Sequence, residues 1–110
     1  MLFKPEHKEM ILNGTKTATR RNWAKPYVIV GNTYPCKLKM LSKNTFARIK
    51  VKKVFKQKLK DMTLEDYRKE GYSGMKEFVD VWIKINGIWN YDMEVYVIEF
   101  ELLKSLGEKE

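Results

Sequence analysis

The alternation of side chains between residues 46 and 59 constrains the fold more than any other feature of the sequence. Along this stretch Ala47, Ile49 and Val51 alternate with three basic residues, Arg48, Lys50 and Lys52. A period of two sends successive side chains to opposite faces of a β-strand. The segment is therefore predicted to be a strand with one apolar face and one basic, solvated face, and the chain must contain a sheet.

Three further segments are predicted as strands. Residues 34–41 pair with 46–59 as a hairpin around Ser42-Lys43-Asn44, and the Thr-rich residues 15–21 favour a third strand. Residues 93–103 close the sheet, since two sets of side chains alternate there: Tyr96, Ile98, Phe100 and Leu102 against Val95, Val97, Glu99 and Glu101. The residues between, 23–32, have the turn signals of a loop.

Helix-start and helix-stop residues predict three helices. Pro5 suits the first helical position and Gly14 the stop of a helix over 5–13. Thr63 is the expected cap of a second helix, which ends before Gly71. Ser73 is the expected cap of a third, which has an apolar side and ends at Gly87; that side holds Phe78, Val79, Trp82 and Ile83.

The order of these elements predicts the fold class. It is α+β, a partly closed mixed β-barrel with short flanking helices. The chain has 110 residues, no repeats and no long internal linker, so residues 1–110 are expected to form a single domain.

Charge is distributed unevenly along the chain. Residues 1–60 contain 16 Lys and Arg against two acidic residues, whereas residues 61–110 contain 6 against 12. A basic face of this kind attracts phosphate, which predicts RNA or a nucleotide as the partner. Lysine-rich composition is also typical of thermophiles, but that bias does not separate lysines from acids.

Other classes of protein are disfavoured by composition. No apolar run approaches the roughly 20 residues that span a bilayer, and the first residues lack the apolar centre of a signal peptide. Cys36 is the only cysteine, which excludes an internal disulfide and a multi-cysteine zinc site; it is expected to be buried and inert. We therefore expect a cytoplasmic protein without a metal or another cofactor, monomeric or at most a weak dimer.

The densest group of polar residues is Gly14-Thr15-Lys16-Thr17-Ala18-Thr19-Arg20-Arg21, followed by Trp23. As a mere connector such a segment is costly, because its cations repel one another and its hydroxyls need partners. An anionic, hydrogen-bonding ligand removes both costs. The segment is therefore the first candidate site.

This segment resembles the opening signature of the ASCH domain family. The resemblance extends through Val51-Lys52-Lys53-Val54, Met62-Thr63-Leu64-Glu65-Asp66 and Glu70-Gly71-Tyr72-Ser73 to the closing Val95-Tyr96-Val97-Ile98-Glu99-Phe100. It implies a PUA-like barrel and an RNA-related role. One branch of the family hydrolyses N4-acetylcytidine with a Lys, a Thr and a Glu, which match Lys16, Thr19 and Glu70; another branch cuts RNA.

The chemistry of deacylation fits these residue types. A lysine with a lowered pKa can take the proton of a threonine nucleophile, and a glutamate can hold water or protonate the leaving amine. Arg21 shares a strand face with Thr19 and is the expected anion contact. Further predicted contacts to substrate or RNA are Thr17, Arg20, Trp23, Arg48, Lys50 and Lys52.

Several alternatives remain open at the level of sequence. The protein is either an amidohydrolase, a non-catalytic RNA-binding module or a ribonuclease. Lys16 and Thr19 are alternatively a solvated lysine and an ordinary strand residue. They are also an odd number of positions apart, so they share a cleft only if Lys16 lies in the turn after Gly14 or beside a bulge.

The positions of two tryptophans and of the single histidine are predicted separately. Trp23 either stacks a base or covers the mouth of the barrel. Trp82 is expected in the core, and His7 on the surface of the first helix.

Overall fold

The computed structural model describes residues 1–40 and 42–105, and these form eight elements. In chain order they are helix α1 (Pro5–Leu12), strand β1 (Ala18–Arg21), strand β2 (Thr33–Cys36), strand β3 (Ala47–Lys58), a 3₁₀ turn (Leu59–Asp61), helix α2 (Leu64–Lys69), helix α3 (Met75–Asn86) and strand β4 (Glu94–Ser105). Within the described ranges no helix is both long and apolar enough to cross a membrane. The predicted α+β class is confirmed.

The four strands form one curled, half-barrel sheet in the order β1-β4-β3-β2. Neighbouring strands are antiparallel, and the predicted pairing of β2 with β3 is present. The parallel component expected of a mixed barrel is limited, in the described part of the chain, to an isolated bridge between Leu2 and Lys37. The pairing of β3 with β4 shifts register twice, and such bulges bend a strand.

The second register shift ends the predicted alternation in β3. Ala47, Ile49 and Val51 are fully buried, as expected, but Lys52 and Lys53 beside the shift are both exposed. The centre of β4 also departs from alternation, because Val97 and Ile98 are both 0% exposed. Strand β4 pairs with β1 along one edge and with β3 along the other, and Ile98 packs against Val28 and Val51.

Most of the predicted cap and stop residues lie at the observed helix ends. The Thr63 hydroxyl accepts from the Asp66 N–H, and the Asp66 carboxylate accepts from the Thr63 N–H, which completes a capping box. Gly87 ends α3 with a φ of 89°. The prediction that Ser73 caps α3 is wrong: Gly74 is the cap, and the Ser73 side chain donates to Glu77 instead.

Other predicted boundaries shift by a few residues. Helix α1 ends at Leu12, and β1 begins at Ala18, so 15–17 are not part of the strand. Strand β2 covers only the start of the predicted 34–41, and Leu41 lies outside the described residues.

Three groups of buried side chains hold the fold together. The first joins α1 to the sheet through Phe3, Ile11 and Phe100, and also contains Cys36. The second packs α2 and α3 on the end of β4 through Tyr67, Tyr72, Phe78, Trp82 and Val95. The third joins Val28 of the 22–32 loop to Val51 and Ile98. Cys36 is 0% exposed, and burial raises its pKa to about 11.

Candidate functional site

A cavity of about 380 Å³ lies between α1, strand β1, the segment after α2, and α3. The cavity has a polar side and an apolar side. The polar side includes Lys16, Thr19, Arg21 and Glu70; the apolar side is contributed by α3 through Phe78, Val81, Trp82 and Ile85. Its volume is near the lower end of the range for small-molecule sites, about 300–1,000 Å³.

Lys16 reaches this cavity from a turn, not from a strand. Gly14 has a φ of 82°, a conformation that glycine adopts readily, and the Lys16 N–H donates to the Met10 carbonyl at 2.9 Å. Strand β1 begins two residues later. The odd spacing between Lys16 and Thr19 is therefore no obstacle, and both residues line the cavity.

Glu70 enters the cavity because the chain turns sharply after α2. Gly71 has a φ of 101°, and a Cβ atom built there would lie 2.6 Å from the Met10 sulfur. This glycine therefore permits a close approach of the turn to α1. Its two neighbours, Glu70 and Tyr72, both line the cavity as a result.

A buried ion-pair network forms the centre of the polar side. Lys16 Nζ donates to Glu70 Oε1 at 2.8 Å and to the Glu70 carbonyl at 3.2 Å. Arg20 Nη1 donates to the other carboxylate oxygen, Oε2, at 2.9 Å. The side chains of Lys16 and Arg20 are each 1% exposed and that of Glu70 is 4% exposed. Both oxygens of Glu70 are thus occupied by cations.

Thr19 and Arg21 form a second contact on the same side of the cavity. Arg21 Nε donates to Thr19 Oγ1 at 3.1 Å, and Arg21 Nη2 donates to the Leu2 carbonyl at 2.7 Å. Within the described residues no acceptor takes the hydroxyl proton of Thr19. The hydroxyl therefore retains a proton that it can donate.

Burial shifts the pKa values of two cations that line the cavity. It lowers the pKa of the Lys16 amine, although the charge of Glu70 and its hydrogen bond act in the opposite direction. It also lowers the pKa of Arg21. Desolvation disfavours the charged form of a base, so Lys16 loses its proton more readily than a surface lysine does.

His7 is buried in the cavity wall, so the prediction that it lies on the surface is wrong. Its Nε2 lies 2.5 Å from the Tyr72 hydroxyl, and the residue is only 7% exposed. Burial lowers the pKa of His7 to about 4 and raises that of Tyr72, so both groups are neutral near pH 7. Sequence reasoning missed this pair because the two residues are 65 positions apart.

The remaining predicted binding residues lie outside the cavity. Thr17 is held by backbone hydrogen bonds to Lys69 and Phe100. Trp23 is half-buried, contacts Tyr27 edge to face and lies 5.9 Å from the Arg21 guanidinium, measured to the ring centroid. Trp82, expected in the core, is 4% exposed and belongs to the second hydrophobic group, although it also lines the cavity.

Arg48, Lys50 and Lys52 are exposed on β3 and do not line the cavity. The basic and acidic halves of the sequence lie partly side by side in the fold, because β4 places glutamates next to the lysines of β3. Lys52 lies 3.9 Å from Glu101, and Lys56 lies 3.9 Å from Glu94. In the parts of the chain that the structure describes, no three His, Cys, Asp or Glu side chains are grouped to hold a metal ion.

Comparison with known proteins identifies the fold. No family model matches the chain, and no curated protein matches it in sequence. Among solved structures, the ASCH domain from Lactobacillus crispatus JV V101 has a TM-score of 0.68 at 16% identity, over 86% of this chain and 69% of that one. ASCH from Zymomonas mobilis has a TM-score of 0.65 at 12% identity, over 98% and 71%.

A hypothetical protein of similar length also matches, with a TM-score of 0.67 at 21% identity, over 94% of this chain and 96% of that one. At these identities the likeness concerns the fold. The chain has the ASCH fold, and the expected PUA-like architecture is confirmed.

Proposed function

We propose that this protein binds RNA or a modified nucleoside in the cavity and removes the acetyl group of an N4-acetylcytidine-like substrate. The observation that carries the proposal is the buried Lys16 amine, held by Glu70 beside a cavity that Thr19 also lines. A lysine is costly to bury, and a proton-transfer role accounts for placing one at the wall of a cavity. The likeness to ASCH structures supports the same assignment.

The first half of the reaction transfers the acetyl group to Thr19. The Thr19 hydroxyl gives its proton to the neutral Lys16 amine while its oxygen bonds to the acetyl carbon. The carbonyl electrons move to the oxygen, beside the Arg21 guanidinium, which stabilises the negative charge. As the tetrahedral intermediate collapses, the carbon–N4 bond breaks, and Lys16 returns the proton to N4 of the departing cytidine.

The second half regenerates the enzyme. Water attacks the acetyl ester of Thr19 and gives a proton to Lys16; the ester bond then breaks, and Thr19 recovers that proton. Acetic acid is released and ionises in solution. Glu70 is assigned to hold Lys16 in place, because both carboxylate oxygens already accept hydrogen bonds.

The test is direct incubation with N4-acetylcytidine, free and within a short single-stranded RNA. We expect the wild-type protein to release cytidine and acetate in equal amounts, measured by chromatography. The rate should rise with pH as the Lys16 amine loses its proton. Thr19→Val, which keeps the shape of the side chain but removes the hydroxyl, should abolish release. Absence of release by the wild-type protein from both substrates would contradict the proposal.

Non-catalytic RNA binding is the second candidate, and the exposed cations of β3 favour it. Arg48 and Lys50 form no ion pair within the described residues, so both are available to phosphate. We expect affinity for single-stranded RNA to fall with salt, because each neutralised phosphate adds about 0.7 to the slope of log affinity against log salt.

The double variant Arg48→Ala/Lys50→Ala should reduce that slope by about 1.4 if each cation contacts one phosphate. Fluorescence anisotropy at several salt concentrations measures it. Lys84→Ala, which removes one exposed cation of α3, is the control for loss of positive charge outside β3. A slope that is equal in the double variant and the wild type would contradict the role of β3.

A further inference from the structure

Arg20 is a buried cation at the cavity wall, and its guanidinium donates to other side chains of the protein. Its Nε and Nη2 donate to Gln57 Oε1 at 3.1 and 2.9 Å, and its Nη1 donates to Glu70. Asp66 Oδ1 lies 3.5 Å from Nη2. The three nitrogens of the guanidinium are thus all engaged. Arg20 also lines the cavity, and the sequence-based expectation that it contacts RNA stays a prediction.

Gln57 is itself fixed on its other side. Its Nε2 lies 3.4 Å from Asp66 Oδ2 and 3.5 Å from the Asp61 carbonyl, both acceptors. The amide nitrogen therefore points to the acceptors and the amide oxygen to Arg20. Gln57 lies on β3, Arg20 on β1 and Asp66 on α2, so the orientation of the guanidinium is set by three separate elements.

The position of Arg20 determines how much of the Glu70 charge reaches Lys16. Glu70 gives one oxygen to each cation. The charged and titratable groups that act on Lys16 are Glu70, Arg20, Arg21 and the neutral His7. Glu70 is the single anion in that set, so a competing cation on it weakens the hold on the Lys16 proton.

We propose that Arg20, oriented by Gln57, is a positioning residue that occupies one oxygen of Glu70 and thereby keeps the Lys16 amine able to release its proton. Arg20 lines the cavity, and because its guanidinium nitrogens donate to Gln57 and Glu70, it acts on Lys16 through Glu70. The catalytic consequence rests on the proposed amidohydrolase function, whereas the effect on Lys16 itself is a property of the folded protein.

The decisive variant is Gln57→Glu. Glutamate has nearly the same shape as glutamine and places a negative charge beside the Arg20 guanidinium. The new charge neutralises Arg20, so Glu70 holds the Lys16 proton more strongly. We expect the titration of Lys16, followed by NMR of its Nζ and Cε atoms without substrate, to move upward by about one pH unit. Asn32→Asp, at an exposed loop position, adds the same charge and should leave Lys16 unchanged.

A second variant tests the same inference if Gln57→Glu does not fold. Arg20→Gln removes the competing cation directly and should also move the Lys16 titration upward. Equal Lys16 titration in the wild type and in the folded variants would overturn the inference, as would a downward shift. A shift without hydrolysis by the wild type would contradict the proposed function alone. In an active enzyme, the pH–rate profile should move by the same amount as the titration.

Discussion

Replacing Glu70 with Ala is expected to lower the free energy of unfolding by about 3–5 kcal/mol, because it leaves buried cations without their anion. Lys16 loses the one carboxylate that it contacts among the described residues, and Arg20 keeps Gln57 and the more distant Asp66. Lys16 and Arg20 are each 1% exposed, so water cannot replace the missing charge. Urea denaturation followed by circular dichroism measures the loss.

Glu65→Ala is the matched control, since it makes the same substitution in the first turn of α2, the helix that Glu70 follows as the C-cap. Glu65 is 78% exposed, and its nearest cation, Lys69, is 3.9 Å away. Exposed pairs of this kind contribute little, so the control should change the free energy of unfolding by less than about 1 kcal/mol. Equal effects at the two positions would contradict the view that Glu70 compensates buried charge.

Removing a cation should cost much less than removing the anion. In Lys16→Met, Glu70 retains the hydrogen bond from Arg20, and an apolar side chain of similar length fills the space of the lysine. The double variant Lys16→Met/Glu70→Gln should therefore be more stable than Glu70→Ala. This order follows from the geometry, in which one carboxylate serves two cations.

Features that depend on neighbouring residues were predictable from the sequence. The cap at Thr63 and the stop at Gly87 depend on bonds within a few positions, and both were located correctly. The alternation in the first half of β3 was also correct, because a period of two is a local property of strands. Ser73 failed as a cap because its hydroxyl found a competing local acceptor in Glu77.

Features that depend on distant residues were not predictable in the same way. The burial of His7 depends on Tyr72, and the orientation of Arg20 depends on Gln57, each in another element. The register shift after Val51 was also not predictable, because a bulge arises from the pairing of β3 with β4 and has no periodic pattern in the sequence. The dense polar segment 14–21 already pointed to the region of Lys16, whereas the role of Lys16 and the choice of Glu70 came from the ASCH resemblance.

The uneven charge of the two halves of the sequence is partly explained by the pairing of β3 with β4. Antiparallel pairing sets the basic β3 against β4, whose glutamates lie beside Lys52 and Lys56. Some of the separation in sequence is therefore complementarity between neighbouring strands. The part that stays unbalanced, at Arg48 and Lys50, is what supports the proposal of an RNA-binding face.

Removal of the Lys16 amine is also expected to lower activity strongly. In Lys16→Met no amine takes the Thr19 proton, so kcat for N4-acetylcytidine should fall by about 10²–10⁴-fold while the protein remains folded. Single-turnover and steady-state measurements of cytidine release check this. Lys76→Met, on an exposed lysine of α3 that is paired with Asp80, should retain full activity.

The variant Lys16→Arg separates proton transfer from charge. Arginine keeps a positive charge near Glu70 but does not lose a proton at accessible pH. If Lys16 acts as the base, this variant should be as inactive as Lys16→Met, and raising the pH should not restore activity. If Lys16 only supplied charge, the variant would retain activity, and Thr19 would have to lose its proton to another group. Because Glu70 has both oxygens occupied by cations, that result would transfer the role of base to water or to the His7–Tyr72 pair.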